Sequence, residues 1–166
     1  MQSDPSTSGL RPSLRMTYKI DMIWFKEYTI PEIEKFITHD CILDHLGLEF
    51  VEIGNDSGAE FLKAKLPVDC RTHQIHGILH GGSTCVLAET VGSFASLMCI
   101  DMDKKYAVGS QINVNHLRPA KSGFITAICR PAHIGRSKHV WDILVENDQD
   151  KLIAKAELTC AVVDKP

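Results

Sequence analysis

The sequence predicts a single α+β domain in which one curved antiparallel sheet wraps around one long central helix. Three observations carry this. The run 83–100, "STCVLAETVGSFASLMCI", is apolar nearly all round and too long for a strand, so it reads as a helix covered on most sides. Two strand-like stretches precede it and four follow, separated by short Gly-, Asn-, Asp- and Ser-rich turns. The chain's 166 residues, 44% of them hydrophobic and 23% charged, suit one globular domain with one sizeable core.

The elements follow in order. Residues 1–21 are polar and rich in Ser, Thr, Pro and Gly, which predicts a disordered tail, native or appended, ahead of a folded domain over 22–166. In "TIPEIEKFITHD", Thr29 and Glu32 stand three apart with Pro31 in the first turn, a capping-box pattern that predicts a short helix over about 30–38. "LGLEFVEIG" and "AEFLKAKLPV" read as two strands joined by "GNDSG"; in the second, Leu62, Ala64, Leu66 and Val68 alternate with Phe61, Lys63 and Lys65. "PVDCRTHQIHGILHGG" is a loop that ends in two glycines where the long helix begins. After the helix come "AVGSQINVNHLRP", "GFITAICRPAHI", "SKHVWDILVEN" and "KLIAKAELTCAVV", and the turns "AKSG", "IGRS" and "NDQD" predict that these four strands form an antiparallel meander.

Charge narrows the function classes. A formal net charge of −3 argues against a nucleic-acid or anionic-membrane partner. The segment from Lys104 to Trp141, however, holds Lys104, Lys105, Arg118, Lys121, Arg130, Arg136 and Lys138 and no acidic residue. It reads either as a solvated basic face or as a site for a small, multiply charged anion. Six cysteines lie scattered with no CxxC, the amino terminus shows no apolar signal segment, and charge and glycine interrupt the one long apolar run. A cytoplasmic protein with reduced thiols is expected. Cys70, His73, His76 and His80 are close in sequence, but their spacing matches no usual zinc pattern, so no metal site is expected.

One residue needs explaining. Glu89 is the only formal charge in the run 76–100, and an ionised carboxylate taken out of water without a partner weakens the fold. Residues kept at such a cost are often there for chemistry. "HGG" precedes the helix, where the first backbone N–H groups have no intrahelical partner, so Gly81 or Gly82 offers a donor for a developing oxyanion. Helix rise sets Gly81 and Glu89 roughly 12 Å apart, whereas reacting groups must bracket one atom at about 3 Å. Two copies of the chain resolve this, with the helix start of one facing Glu89 of the other across a two-fold axis. Ser93 lies one turn beyond Glu89 on the same face, where its hydroxyl can hold a water or the carboxylate.

These residues resemble a known family. "ILHGGSTCVLAETVGS", together with "MIW", "LPVDCRTHQ", "INVNHLRPAKSG" and "RPAHIGRSKHVW", is similar to the hotdog-fold acyl-CoA thioesterases of the PaaI-like branch, which includes the 4-hydroxybenzoyl-CoA and 1,4-dihydroxy-2-naphthoyl-CoA thioesterases. The resemblance spans about residues 22–163, with five motifs in order. It implies a hotdog fold and hydrolysis of an acyl-CoA, with an aromatic acyl group favoured and an acyl-carrier-protein thioester as the alternative substrate. It implies that Glu89 is nucleophile or general base, that the Gly81 N–H binds the oxyanion, that Gln74 and His80 place the thioester and water, and that Ser93 assists. Gln74, His80 and Gly81 would come from one subunit and Glu89 and Ser93 from its neighbour, in a homodimer at least and commonly a homotetramer. No cofactor is implied, coenzyme A being part of the substrate. His116, Arg118, Arg136, Ser137 and Lys138 fall in motifs resembling the family's nucleotide contacts; relatives often carry Ser before Arg in the last motif, so the phosphate contact falls to Arg136, Ser137 or Lys138.

Plainer readings stand beside these. Glu89 in a salt bridge across a subunit contact, His80 as a helix cap, Gln74 as a loop residue and Ser93 bonded to its own backbone are structural alternatives. His116 and Arg118 as strand-end polar residues are another, while Cys85 and Cys99 read as buried fillers and Trp24 and Trp141 as packing residues. The functional rivals are a hotdog dehydratase or hydratase, whose His/Asp arrangement is not found, and a non-catalytic acyl-CoA-binding oligomer, which would not require the set Gln74, His80, Gly81, Glu89 and Ser93.

Overall fold

The structure, a computed structural model, describes residues 22–37, 41–56 and 58–166; the expected tail lies outside them. The elements are α1 (Ile30–Glu34), α2 (Ile42–Leu46), β1 (Glu49–Asp56), β2 (Ala59–Pro67), α3 (Gly81–Met98), β3 (Lys105–His116), β4 (Phe124–Ile134), β5 (Lys138–Asn147) and β6 (Leu152–Asp164). All strand pairs are antiparallel in one six-stranded sheet of order β1-β2-β4-β5-β6-β3, and α3 packs on the face shared by β2 to β6. The expected α+β layout of a sheet around one long helix is present.

The alternation read in β2 decides which face is inside. Leu62, Ala64 and Leu66 are fully buried, while Lys63 and Lys65 turn outward and pair with Glu52 at 2.7 Å and Glu49 at 2.9 Å. Phe61 faces outward too, yet is buried because Lys63 Nζ and the Arg130 guanidinium cover its ring. Against the inner face α3 lays Leu87, Val91 and Ala95, which meet Ile125, Ile143 and Leu158 in a continuous core. Each of these Leu, Val and Ile side chains contributes about 1.5–3 kcal/mol by leaving water. Gly92 lets the helix approach closely, since a Cβ there would stand 2.5 Å from Leu158 Cδ2. Trp24 stacks on Trp141, whose indole N–H donates to Ser96 Oγ at 2.7 Å within the core.

Four local expectations need correction. The helix near 30 ends at Glu34, its start held as expected by the Glu32 carboxylate, which accepts from the Thr29 N–H at 2.8 Å and the Thr29 hydroxyl at 2.9 Å; residue 38 lies outside the described residues. "LGLEFVEIG" is not strand throughout: Leu46 closes α2, and Gly47 at φ +71° ends that helix in the left-handed region before β1 starts. The long helix begins at Gly81 rather than Ser83 and stops at Met98.

The fourth correction is topological. β3 does not pair with β4 across "AKSG". It crosses to the far edge and pairs with β6, leaving only β4-β5-β6 as a meander. Nearness in sequence misled because the connection 117–123 is long enough: seven extended residues reach roughly 23 Å, more than three strand spacings of about 5 Å each. Its backbone is satisfied by neighbours rather than by a hairpin. Leu117 and Arg118 N–H donate to Ile153 O, Leu79 N–H to Ala120 O, and Val68 N–H to Gly123 O.

Candidate active site

The carboxyl-side crossing of β3 brings its last residue to the start of α3. His80 caps that helix in an extended conformation (φ −74°, ψ 132°), and its Nδ1 accepts from the Gly82 N–H at 2.8 Å. The neutral ring therefore carries its proton on Nε2. Capping consumes the Gly82 N–H, and the Gly81 N–H has no hydrogen-bond partner among the described residues. Of the two donors open to sequence reasoning, Gly81 is the free one. The loop ahead is tied down: the Arg71 guanidinium grips Asp69 at 2.6 Å and holds its carboxyl down to about 2, His80 N–H donates to Thr72 O at 2.8 Å, and Gln74 N–H donates to Ile78 O at 2.8 Å.

A cleft of about 370 Å³ opens here, with Gln74, Gly81, Thr84, His116 and Arg118 in its wall. The His116 ring lies over Gly81, where a Cβ would meet Nε2 at 2.9 Å. Arg118 Nη1 donates to Leu152 O at 2.7 Å, which anchors the guanidinium at the cleft's rim.

Glu89 belongs to the other end of β3. It is half-buried, and Ser93 Oγ donates to Oε1 at 3.2 Å, as the one-turn spacing predicted. No ion pair reaches Glu89 among the described residues. Beside it lies an apolar cleft of about 320 Å³ walled by Ile42, Cys85, Val86, Thr90 and Ile112. Cys85 is thus half-buried in a cleft wall, and Cys99 is half-buried as well; Cys129 and Cys160 are the buried thiols. The turn bearing Arg136, Ser137 and Lys138 is at this same end, since Lys138 pairs with Ala161 and β3 Val108 pairs with Ala161 from the other side. Arg136 borders a small cavity with Lys105, Asp101 and His139. His139 is buried with its Nδ1 unpartnered among the described residues, and burial lowers its pKa.

The expected residues therefore fall into two groups. Gln74, His80, Gly81, His116 and Arg118 share one end; Glu89, Ser93, Arg136, Ser137 and Lys138 share the other. The seven steps from Gly109 to His116 separate the two by roughly 20 Å along β3. Of the four residues of the zinc alternative, His80 caps the helix through Nδ1 and His73 Nε2 meets Lys121 O at 3.2 Å. Two residues escaped sequence reasoning. Thr84 Oγ1 is buried without a partner among the described residues in the wall of the Gly81 cleft, and nothing in the pattern marked it. Gly109 lies against Glu89, and a lone glycine within a strand pattern is a signal of close approach that was readable.

Comparison with known proteins bears on these two ends together. The profile of the thioesterase superfamily matches residues 76–154, which include α3 from its first residue and every strand from β3 to β5. The 1,4-dihydroxy-2-naphthoyl-CoA hydrolase of Escherichia coli is 36% identical over 142 residues, covering 86% of this chain and 100% of that protein. The chain belongs to the thioesterase superfamily. The proofreading thioesterase EntH of Cronobacter turicensis is 34% identical over 142 residues, covering 86% of this thioesterase and 99% of the relative. The crystal structure of a mutant thioesterase from Pseudomonas aeruginosa superposes on this one with a TM-score of 0.80 at 42% identity, over 87% of this thioesterase and 100% of that chain. The hotdog resemblance and the enzyme class read from the motifs both hold. No helix among the described residues is long and apolar enough to cross a membrane.

Proposed function

We propose that this thioesterase hydrolyses an acyl-CoA carrying an aromatic acyl group, in a site assembled from two subunits. One observation carries the reading: the groups needed to split a thioester stand at opposite ends of β3, and β3 is a sheet edge beyond which no strand lies among the described residues. Tyr106 and Val108 leave that edge with exposed apolar side chains, and an unpaired edge is a template for a second strand. Antiparallel pairing of two β3 strands about the Ile112–Asn113 step sets Gly109, and so Glu89, opposite His116 of the partner subunit. A homodimer is the minimal unit, and a homotetramer is two of these.

In that site the acyl group enters the apolar cleft beside Glu89, and the thioester carbonyl points at the partner's Gly81. Glu89 either draws a proton from water or attacks the carbonyl carbon itself. In both cases negative charge gathers on the carbonyl oxygen, and the unpartnered Gly81 N–H at the positive end of α3 stabilises it. The tetrahedral centre collapses with cleavage of the C–S bond, and coenzyme A leaves as its thiolate and takes up a proton. Where water attacked, collapse gives the free acid directly; where Glu89 attacked, it gives a Glu89–acyl anhydride, which water then hydrolyses to the free acid and the Glu89 carboxylate. Gln74 and the His80 Nε2–H orient the thioester. Arg118 and the Arg136–Lys138 turn supply cations for the nucleotide phosphates. The 36% identity to a 1,4-dihydroxy-2-naphthoyl-CoA hydrolase supports an aromatic acyl group.

Subunit complementation tests the shared site. Glu89→Gln and Gln74→Ala chains are each expected to be nearly inactive in releasing free thiol from benzoyl-CoA. Refolded together in equal amounts, half the dimers are mixed and one of their two sites is intact, so activity returns to about a quarter of wild type. No recovery would mean that each chain works alone.

A further inference from the structure

Glu89 needs a place to lie, and β3 leaves one. A Cβ built on Gly109 would stand 2.0 Å from Glu89 Oε1, 3.0 Å from Cδ and 3.2 Å from Oε2, so the carboxylate occupies the space of a missing side chain. The three atoms nearest that Cβ all belong to Glu89. Gly109 is not among the residues with a left-handed φ, so its backbone has no need of glycine. What excludes a side chain is the carboxylate.

The strand irregularity at this point completes the arrangement. On the His116 side, Ile112 and Val114 turn toward the core. A regular strand would continue that even-numbered set with Ser110. Instead the register shifts between Gly109 and Gln111: Gly109 pairs with the buried Cys160, Gln111 pairs with Thr159, and the extra residue, Ser110, donates its hydroxyl to Thr159 O at 3.1 Å. The bulge rotates the one residue without a side chain inward, opposite Glu89. Ser93 holds Oε1 from the helix side at 3.2 Å.

We infer that Gly109 is a positioning residue, its bare backbone and the adjoining bulge setting where the Glu89 carboxylate stands. The catalytic consequence rests on the reading of Glu89 above; the geometric consequence does not. The carboxylate is the far end of a flexible chain, so a methyl group at 109 displaces it without unfolding the protein. Gly109→Ala is expected to lower kcat on benzoyl-CoA about 100-fold, the scale of a misplacement of about 1 Å, with KM changed less than about threefold. In a Glu89→Asp background, where the shorter side chain withdraws the carboxylate from the methyl group, the same substitution costs less than about tenfold. Equal losses in the two backgrounds, or an unchanged kcat, would overturn the inference. A Gly109→Ala chain that does not fold, beside a Gly109→Ala/Glu89→Ala chain that does, supports it as overfilling of the same space; failure of both chains overturns it. A crystal structure of Gly109→Ala reads the geometry without activity: displacement of Oε1 supports the inference and an unmoved carboxylate overturns it. Full activity of Glu89→Gln would sink the catalytic reading alone.

Discussion

The two ends of β3 hold their functional groups by opposite means. At the His116 end, His80, His116 and Arg118 are exposed, and the group of most chemical value is a backbone N–H left over when the His80 ring satisfies its neighbour. At the Gly109 end, the valuable group is a side chain, and shape holds it: a missing Cβ on one side, a serine on the other and an apolar cleft beside. An oxyanion donor can be made from secondary structure alone, because every helix start leaves donors unpaired. A half-buried carboxylate cannot, because its location depends on what packs around it. Local chemistry makes one half of the site and tertiary packing makes the other.

Substitution of the two groups breaks this comparison most sharply. Glu89→Gln keeps size and removes the base, so kcat on benzoyl-CoA is expected to fall about 1,000-fold, in the range of a lost acid–base group, with the thermal midpoint nearly unmoved. Gly81→Pro removes the N–H itself. Proline is tolerated at the first helical position, and His80 already holds the extended conformation that a following proline requires. A fall of at least about 100-fold in kcat is expected, the effect of one oxyanion donor together with displacement of the His116 ring, which a Cβ at 81 would meet at 2.9 Å. An active Gly81→Pro enzyme would place the oxyanion elsewhere.

A smaller effect separates the two basic groups. Arg118→Ala and Arg136→Ala are each expected to raise KM for benzoyl-CoA about tenfold, at the low end of the about 1.5–3 kcal/mol of one charge-assisted contact, and to leave hydrolysis of benzoyl-pantetheine, which lacks the nucleotide, unchanged. If only one variant responds, the nucleotide is held from one end of β3 and the other group is a solvated face.

The smallest effect is on stability, and it is confined to the Glu89 end. Burial lowers the His139 pKa, so between its folded value and its ordinary 6.5 the folded chain binds fewer protons than the unfolded chain. Stability is therefore complete above about pH 6.5 and declines as pH falls toward the folded value. Thermal midpoints measured from pH 7 to 5 should decline less in His139→Phe than in the parent. Parallel curves would show that the neutral buried ring carries no such penalty.

Much of the fold was readable from pattern. The alternation of Leu62, Ala64 and Leu66 with Lys63 and Lys65, the capping pair Thr29 and Glu32, and the apolar run 83–100 each specify their own element, though not its last residues, since burial period and helix capping act over a few residues. The same holds for the chemistry: a lone carboxylate in an apolar helix named Glu89, and two glycines at its start named a donor at Gly81 or Gly82. Other features could not be read this way. The pairing of β3 with β6 depends on which partner best completes the core, and the connection 117–123 is long enough to permit either choice.

What local sequence settles here is the identity of the elements and the reactive groups, because propensity, capping and charge burial are short-range. Tertiary structure alone decided that Gly81 rather than Gly82 keeps a free N–H, that Gly109 rather than Ser110 faces Glu89, and that one strand separates the two halves of the site. Each of these depends on contacts between residues distant along the chain or on a single ring orientation, and a pattern of residue types carries no record of either.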